Sequence, residues 1–86
     1  MINTIDTIRE VLSSHGQMPV DVSVLSLTAD LYQQGLTSHA SVNVMLALED
    51  AFEVEFPDAL LRKSTFESIA AIAAALETLG IEEMQD

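Results

Sequence analysis

The hydroxyl of Ser38 has the clearest chemical use of any side chain in this sequence. It follows Gly35-Leu36-Thr37, where a loop gives way to a long apolar and acidic helical pattern. In the first turn of a helix, unpaired backbone N–H groups and the positive end of the helix dipole favour an attached phosphate. Ser38 is therefore either an attachment point for a phosphate-linked group or an ordinary serine at a helix start.

Catalysis by Ser38 itself requires an adjacent general base and a third group that orients that base. His39 is next in sequence, but neighbours on a helix do not face each other. The other histidine, His15, falls in a predicted loop. With no cysteine, no glycine-rich loop and no Gly-x-Ser-x-Gly turn, we predict that the chain is not an enzyme and holds no metal.

The composition predicts one folded domain covering residues 1–86, with residues 82–86 as a frayed polar tail. Of the 86 residues, 49% are hydrophobic, which is far above the range of disordered chains. No apolar run approaches the roughly 18 residues of a membrane span. The N-terminus lacks the basic region and apolar core of a signal peptide, so we expect a cytoplasmic monomer.

The charge is strongly negative, because 14 acidic residues face three basic ones and the net charge is -11. Such a chain is repelled by nucleic acid and by anionic lipid surfaces. We therefore expect protein partners with basic patches. The alternative is that the acidity only keeps a small apolar-rich protein soluble.

Apolar spacing predicts an all-α fold that begins with a helix at about Asn3–Ser14, capped by Asn3 or Thr4. A long first loop, roughly His15–Thr37, carries regularly placed apolar residues and is predicted to pack across the helices. Val20–Val24 alternates like a strand, but no second alternating run could pair with it, so a strand is rejected.

The second helix is predicted at about Ser38–Glu53, with Thr37 as its N-cap. Pro57 opens a short helical turn near Asp58–Leu61. The last helix is predicted at about Thr65–Leu79. It begins with a capping box formed by Ser64 and Glu67 and is stopped by Gly80.

The second helix carries more apolar surface than one packed face requires. One stripe can fill the core, through Val44, Met45, Leu48 and Phe52. Another side mixes apolar and acidic residues, namely Val42, Leu46, Glu49, Asp50 and Glu53. Exposed apolar groups beside acids suit docking of a basic partner. The alternative, a fully buried central helix with a wide apolar arc, fits the pattern equally well.

Three stretches of the sequence resemble the acyl carrier protein family. The run Asp30–Ser38 resembles the approach to that family's attachment serine. The stretch Val42–Asp58 resembles its recognition helix and the turn after it. Ser64–Ile69 resembles the start of its last helix. The Gly-Leu-x-Ser core alone is weak, but Leu-Glu-Asp-x-Phe-x-Val-x-Phe-Pro-Asp follows at the right distance and makes the resemblance strong.

The resemblance implies a small four-helix bundle of three main helices plus a short third one. It also implies a covalent 4'-phosphopantetheine on Ser38, delivered from coenzyme A by a phosphopantetheinyl transferase. The thiol of that arm holds an acyl or aminoacyl group as a thioester for a loading ligase or synthase and an acyltransferase. By position, Val42, Leu46, Glu49 and Asp50 match partner-docking residues, and Glu53 continues the same face.

The sequence departs from the family around the serine, where Thr37-Ser38-His39 stands in place of the usual Asp-Ser-Leu. Thr37 can still cap the helix, while it and His39 alter the surface that the transferase and other partners meet. Ala40 and Asn43 replace early-helix acids common in fatty-acid carriers. We therefore expect a specialised acyl or aminoacyl carrier. The alternative is an unmodified acidic helical interaction module.

Overall fold

The computed structural model describes residues 4–80, which form three α-helices joined by loops and short 3₁₀ turns. Helix α1 spans Thr4–His15, α2 spans Ser38–Phe52 and α3 spans Ile69–Thr78. The 3₁₀ turns lie at Val22–Val24, Asp58–Leu60 and Lys63–Phe66. This part of the chain contains no strand, which confirms the predicted all-α class.

Some details differ from the expectations. His15 is the last residue of α1 and not a loop residue. Two 3₁₀ turns stand between α2 and α3 where the resemblance implied a short third helix. The candidate cap Asn3 and the expected frayed tail at residues 82–86 lie outside the described residues.

The core forms where the apolar stripes of the three helices meet the long first loop. On α1 the buried residues Ile8, Val11 and Leu12 are spaced three and four apart, as one helix face requires. The buried cluster also draws on the loop, α2, the segment after α2, and α3, through Val22, Leu31, Leu36, Ala40, Val44, Leu48, Phe56, Phe66, Ile69, Ile72 and Leu76. The prediction that the loop packs across the helices is thereby confirmed.

Arg9 fastens the loop to α1. Its Nη1 donates hydrogen bonds to the carbonyl oxygens of Val22, at 2.8 Å, and of Leu25, at 2.9 Å. Both bonds are partly buried and charge-assisted, which makes them stronger than neutral hydrogen bonds. The segment with strand-like alternation is thus held as a 3₁₀ turn, begun by an Asp21 carboxylate that accepts from the Ser23 N–H.

The end of the same loop is fastened to the start of α3 by two backbone hydrogen bonds. The Leu31 N–H donates to the Glu67 carbonyl at 2.7 Å, and the Ala70 N–H donates to the Leu27 carbonyl at 2.9 Å. The Leu36 N–H then donates back to the Leu31 carbonyl at 2.9 Å and closes the turn that leads into α2.

Two separate constraints require glycine at position 35 in this turn. Its φ of +112° lies in the region that side-chain-bearing residues rarely adopt. A Cβ built on Gly35 would lie 2.4 Å from the Pro19 Cδ, which is far inside van der Waals contact. Pro19 and Gly35 therefore bring the beginning and the end of the loop together.

The predicted start of the last helix was wrong. Residues Lys63–Phe66 form a 3₁₀ turn, and α3 begins only at Ile69. The cap is Ser68, in extended geometry, whose Oγ accepts from the Ala71 N–H at 3.0 Å. The helix starts late because the Glu67 carbonyl is already bonded to the loop. Its stop at Gly80, with φ +86°, agrees with the prediction.

Helix α2 ends one residue before the predicted boundary. Glu53 follows its last residue with φ 55° and ψ 49°, a left-handed conformation unusual for a residue with a side chain. The Val54 N–H donates to the Glu49 carbonyl at 3.1 Å, a closing bond typical of helix ends.

Replacing Arg9 by glutamine should lower the free energy of unfolding by about 2 kcal/mol, because partly buried carbonyls lose a charged donor. Urea denaturation of the unmodified protein measures the effect. The matched control is Arg62→Gln, which removes the same charge from an exposed side chain and should change the free energy by less than about 0.5 kcal/mol. Equal losses in the two variants would contradict the fastening role of Arg9.

Candidate functional site

Ser38 is the first residue of α2, and its side chain is exposed. Thr37 caps the helix as predicted, since its Oγ1 accepts from the Ala40 N–H at 3.0 Å. The Ser41 hydroxyl donates to the Ser38 carbonyl at 2.7 Å and steadies the first turn. Among residues 4–80, no group hydrogen-bonds to the Ser38 hydroxyl, so it is available for covalent attachment.

A cavity of about 300 Å³ lies beside Ser38, between α2 and the segment that precedes α3. Its walls combine apolar side chains with a few polar ones. They are Tyr32, Ser38, Ser41, Val42, Met45, Leu61, Arg62, Lys63 and Phe66. The last of these, Phe66, is held by a tilted stack on Phe56 with ring centroids 5.5 Å apart. The cavity is therefore built from three separate parts of the chain.

Tyr32 and Lys63 meet at this cavity. The Lys63 Nζ lies 4.8 Å from the centre of the Tyr32 ring, a distance at which cation and ring attract. Burial raises the pKa of the Tyr32 phenol above its usual value, and the negative charges of Asp30 and Glu67 act in the same direction. The phenol therefore keeps its proton at neutral pH and faces the cavity as a neutral group.

The outward side of α2 is exposed where the sequence suggested a second face. Val42 and Leu46 keep 51% and 52% of their surfaces exposed, which argues against the fully buried central helix. Asp50 and Glu53 are exposed on the same helix or directly after it, and His39 is exposed beside Ser38. Apolar and acidic groups thus share one surface, as docking of a basic partner requires.

Next to this surface lies a shallow depression between α1 and α2. It is lined by Val11, Ser14, His15, Gln17, Asn43, Leu46, Ala47, Asp50 and Ala51. Leu46 and Asp50 belong to both features, so the exposed face of α2 continues onto the end of α1.

Among the described residues, no group of three or more histidine, cysteine or acidic side chains could hold a metal ion.

Glu49 differs from the other predicted docking acids because its carboxylate is already engaged. Its Oε2 accepts from the Phe56 N–H at 2.8 Å, and its side chain is partly buried. This bond ties α2 to the segment that follows it. Glu49 therefore has a structural contact that the sequence pattern did not indicate.

Sequence reasoning missed several cavity residues. Arg62 and Lys63 lie far from Ser38 in sequence, Tyr32 was only part of the run that precedes the serine, and Met45 was assigned to the core alone. One signal was available: Arg62 and Lys63 are two of the three basic residues in a chain with 14 acids. Their adjacency in so acidic a sequence could have marked them as a site.

The family described as "phosphopantetheine attachment site" matches residues 6–76. The chain belongs to this family. It is also 53% identical over 66 residues to the aminoacyl carrier protein of Agrobacterium fabrum, a match that covers 77% of this chain and 80% of that protein. Both findings confirm the resemblance to acyl carrier proteins. The chain carries an acyl or aminoacyl group on a covalently attached phosphopantetheine.

Solved structures of carrier proteins have the same fold. A carrier protein from Agrobacterium tumefaciens, crystallised with an engineered glycine:[carrier protein] ligase of Bradyrhizobium japonicum and ATP, is 47% identical with a TM-score of 0.85. That match covers 87% of this chain and 97% of the other. A glycylated carrier protein bound to the Bradyrhizobium ligase is 25% identical, with a TM-score of 0.72 over 84% and 96% of the two chains.

The site described above fits the prosthetic group of this family. Ser38 offers an exposed hydroxyl without a hydrogen-bond partner among residues 4–80, and the basic residues Arg62 and Lys63, whose charge suits a phosphate ester, line the same cavity. When attached, the group supplies a thiol that holds the cargo as a thioester. The chain's own residues position the attachment point and the surface around it.

No helix among the described residues is long and apolar enough to cross a membrane.

Replacing Glu49 by alanine should lower the free energy of unfolding by about 1–2 kcal/mol, because the Phe56 N–H loses its acceptor. Asp50→Ala is the matched control, since it removes one negative charge from the next helix position and should stay within about 0.5 kcal/mol of the parent. Chemical denaturation of both variants measures the difference. If the two variants unfold alike, the Glu49 contact contributes nothing to the fold.

Proposed function

We propose that this protein is an aminoacyl carrier whose attachment residue is Ser38. The observation that carries the proposal is the exposed Ser38 hydroxyl at the start of α2, within the region that the phosphopantetheine attachment family matches. The 53% identity to an aminoacyl carrier protein supports an amino acid as the cargo. The match of residues 6–76 to the phosphopantetheine attachment family favours a carrier over an unmodified interaction module.

The geometry around Ser38 suits modification by a separate enzyme. In this proposal a phosphopantetheinyl transferase supplies the general base and coenzyme A supplies the phosphopantetheine, so the carrier itself needs no catalytic group. Thr37 and the first turn of α2 present the hydroxyl, and the helix dipole favours the phosphate once it is attached. The carrier is accordingly proposed to be non-catalytic.

The proposed loading partner is an ATP-dependent amino acid ligase. Similar carrier proteins have been crystallised with a glycine:[carrier protein] ligase, which supports this class of partner for the present chain. The other proposed partner is an acyltransferase or synthase that accepts the cargo. The departures Thr37 and His39 lie exposed beside the attachment point, where these enzymes must approach. We attribute to them the choice of a specialised set of partners.

The exposed side of α2 is the proposed docking surface. Val42 and Leu46 supply apolar contact area, and Asp50 and Glu53 supply negative charge for a basic partner. Glu49 is proposed to act mainly through its bond to Phe56, which holds this end of the helix in place. The depression beside Leu46 and Asp50 extends the surface towards His15.

The proposed domain organisation, oligomeric state and location are those expected of an acyl carrier protein. The chain is proposed to act as one carrier domain, as a monomer, in the cytoplasm where coenzyme A is available. Its two 3₁₀ turns between α2 and α3 take the place of the short third helix in the four-helix arrangement of acyl carriers.

Incubation with coenzyme A and a broad-specificity phosphopantetheinyl transferase should add one phosphopantetheine to the protein, read by intact mass. Ser38→Ala should gain nothing. The matched control Ser13→Ala, at an exposed serine of α1, should be modified like the parent. Failure of the parent to gain mass, while a reference carrier is modified, would support the unmodified interaction module.

Docking is tested with the modified protein and the glycine:[carrier protein] ligase of Bradyrhizobium japonicum. Asp50→Lys should weaken binding by up to about fivefold at low salt, because exposed charge pairs contribute roughly 0.2–1 kcal/mol. The loss should shrink as salt screens the charges. Glu77→Lys, on the exposed surface of α3, makes the same change in charge and should bind like the parent. Equal weakening by both substitutions would assign the effect to net charge alone.

A further inference from the structure

The positive charge of this protein is concentrated beside the attachment serine. The chain has three lysine and arginine residues, against 14 acids. Arg9 is committed to two loop carbonyls far along the chain from Ser38. Arg62 and Lys63 both line the cavity that contains Ser38, and both are exposed. Two of the three basic residues thus line the same cavity as Ser38, where they can attract an anionic ligand.

The two cations are held in place by the fold. Lys63 begins the 3₁₀ turn that ends at the buried Phe66, and its ammonium lies over the ring of Tyr32. Arg62 precedes that turn in an extended conformation, with φ -140° and ψ 159°. Their backbone is anchored because the Thr65 N–H donates to the Arg62 carbonyl at 3.1 Å. The fold therefore fixes the backbone that carries both side chains, and the Tyr32 ring also attracts the Lys63 ammonium.

Apart from the hydroxyls of Tyr32, Ser38 and Ser41, the rest of the cavity wall is apolar. Val42 and Met45 from α2 face Leu61 and Phe66 from the segment before α3, with a volume of about 300 Å³ between them. A ligand attached to Ser38 that fits this cavity combines negative charge, for Arg62 and Lys63, with alkyl groups for the apolar walls. The proximal half of phosphopantetheine has both, because its phosphodiester is followed by a carbon that bears two methyl groups.

An amino acid thioester does not fit the same place. Its free α-amino group is a cation at neutral pH, so Arg62 and Lys63 repel it, and the apolar side chains Val42, Met45, Leu61 and Phe66 offer it no acceptor. The distal end of the arm is therefore disfavoured in the cavity, while the proximal end is favoured. This separates the present site from a pocket that encloses an uncharged acyl chain.

We propose that Arg62 and Lys63 bind the phosphodiester of the arm, with its dimethyl segment resting against Met45, Leu61 and Phe66, while the aminoacyl group stays in solvent. The inference rests on the proposed function, since it requires phosphopantetheine on Ser38. It assigns to the chain a role beyond attachment: the first part of the arm is held, and only its outer part moves freely. Partners therefore meet the aminoacyl group at the end of an arm whose first segment has a fixed position on the carrier.

The test uses modified protein whose arm is labelled with ¹³C and ¹⁵N, studied by NMR. In the parent, the arm methyl groups should show contacts to Met45 or Leu61, and the amide nearer the phosphate should relax more like the folded chain than the outer amide. In the Arg62→Gln, Lys63→Gln double variant, the contacts should disappear and both amides should relax as a free chain. Raising the salt to about 1 M, where screening acts within about 3 Å, should weaken the contacts in the parent.

A charge-preserving control, the Arg62→Lys, Lys63→Arg double variant, should retain the arm contacts. Spectra of the unmodified variants check that the fold is intact. Identical arm relaxation in the parent and the glutamine variant would overturn the inference. So would contacts between Met45 and the α-protons of a glycyl group loaded on the arm, because they would place the amino acid in the cavity.

Intact mass, recorded first, separates this inference from the proposed function. If Ser38 is modified but the arm is equally mobile in all variants, the carrier function stands and the phosphate-binding role of Arg62 and Lys63 is wrong. If the protein gains no phosphopantetheine, both are wrong.

Discussion

A short path of backbone hydrogen bonds determines where Ser38, the proposed attachment residue, lies. The Leu31 N–H bonds to the Glu67 carbonyl just before α3, and the Leu36 N–H bonds back to the Leu31 carbonyl just before α2. Two helix starts that are distant in sequence are thereby held at one end of the molecule. Tyr32 lies within this path, which is why it can meet Lys63. The cavity beside Ser38 exists because these connections bring its walls together.

Local signals predicted the start of α2 and its exposed face. Thr37 caps the helix through atoms only three residues away, and the spacing of Val42 and Leu46 is set by the helical period, so both features could be read from the sequence. The start of α3 could not, because Ser64 offered an equally good local cap. The competing cap at Ser68 is selected by bonds from the loop, which no local pattern contains.

The candidate site shows the same division between local and distant information. Ser38 was predicted from its helix position and from a family resemblance, whereas the cavity depends on contacts across the fold. Glu49 illustrates the difference, since its spacing places it with Asp50 among surface acids. Its actual partner is an N–H seven residues ahead, in a turn whose path the sequence did not specify. Helical period thus predicts which side a residue occupies and leaves open what it contacts.

Gly35 and Pro19 impose a joint restriction on how this protein can diverge. A left-handed backbone at position 35 disfavours every residue with a Cβ by roughly 1–2 kcal/mol, and the proline ring 2.4 Å from that Cβ adds a steric barrier. Replacing Pro19 removes the second obstacle and leaves the first. Another residue at position 35 therefore requires at least two substitutions, at Pro19 and then at Gly35. The first of these brings no benefit by itself. Among descendants of this chain, the approach to Ser38 should change more slowly than the exposed residues of the loop between these two positions.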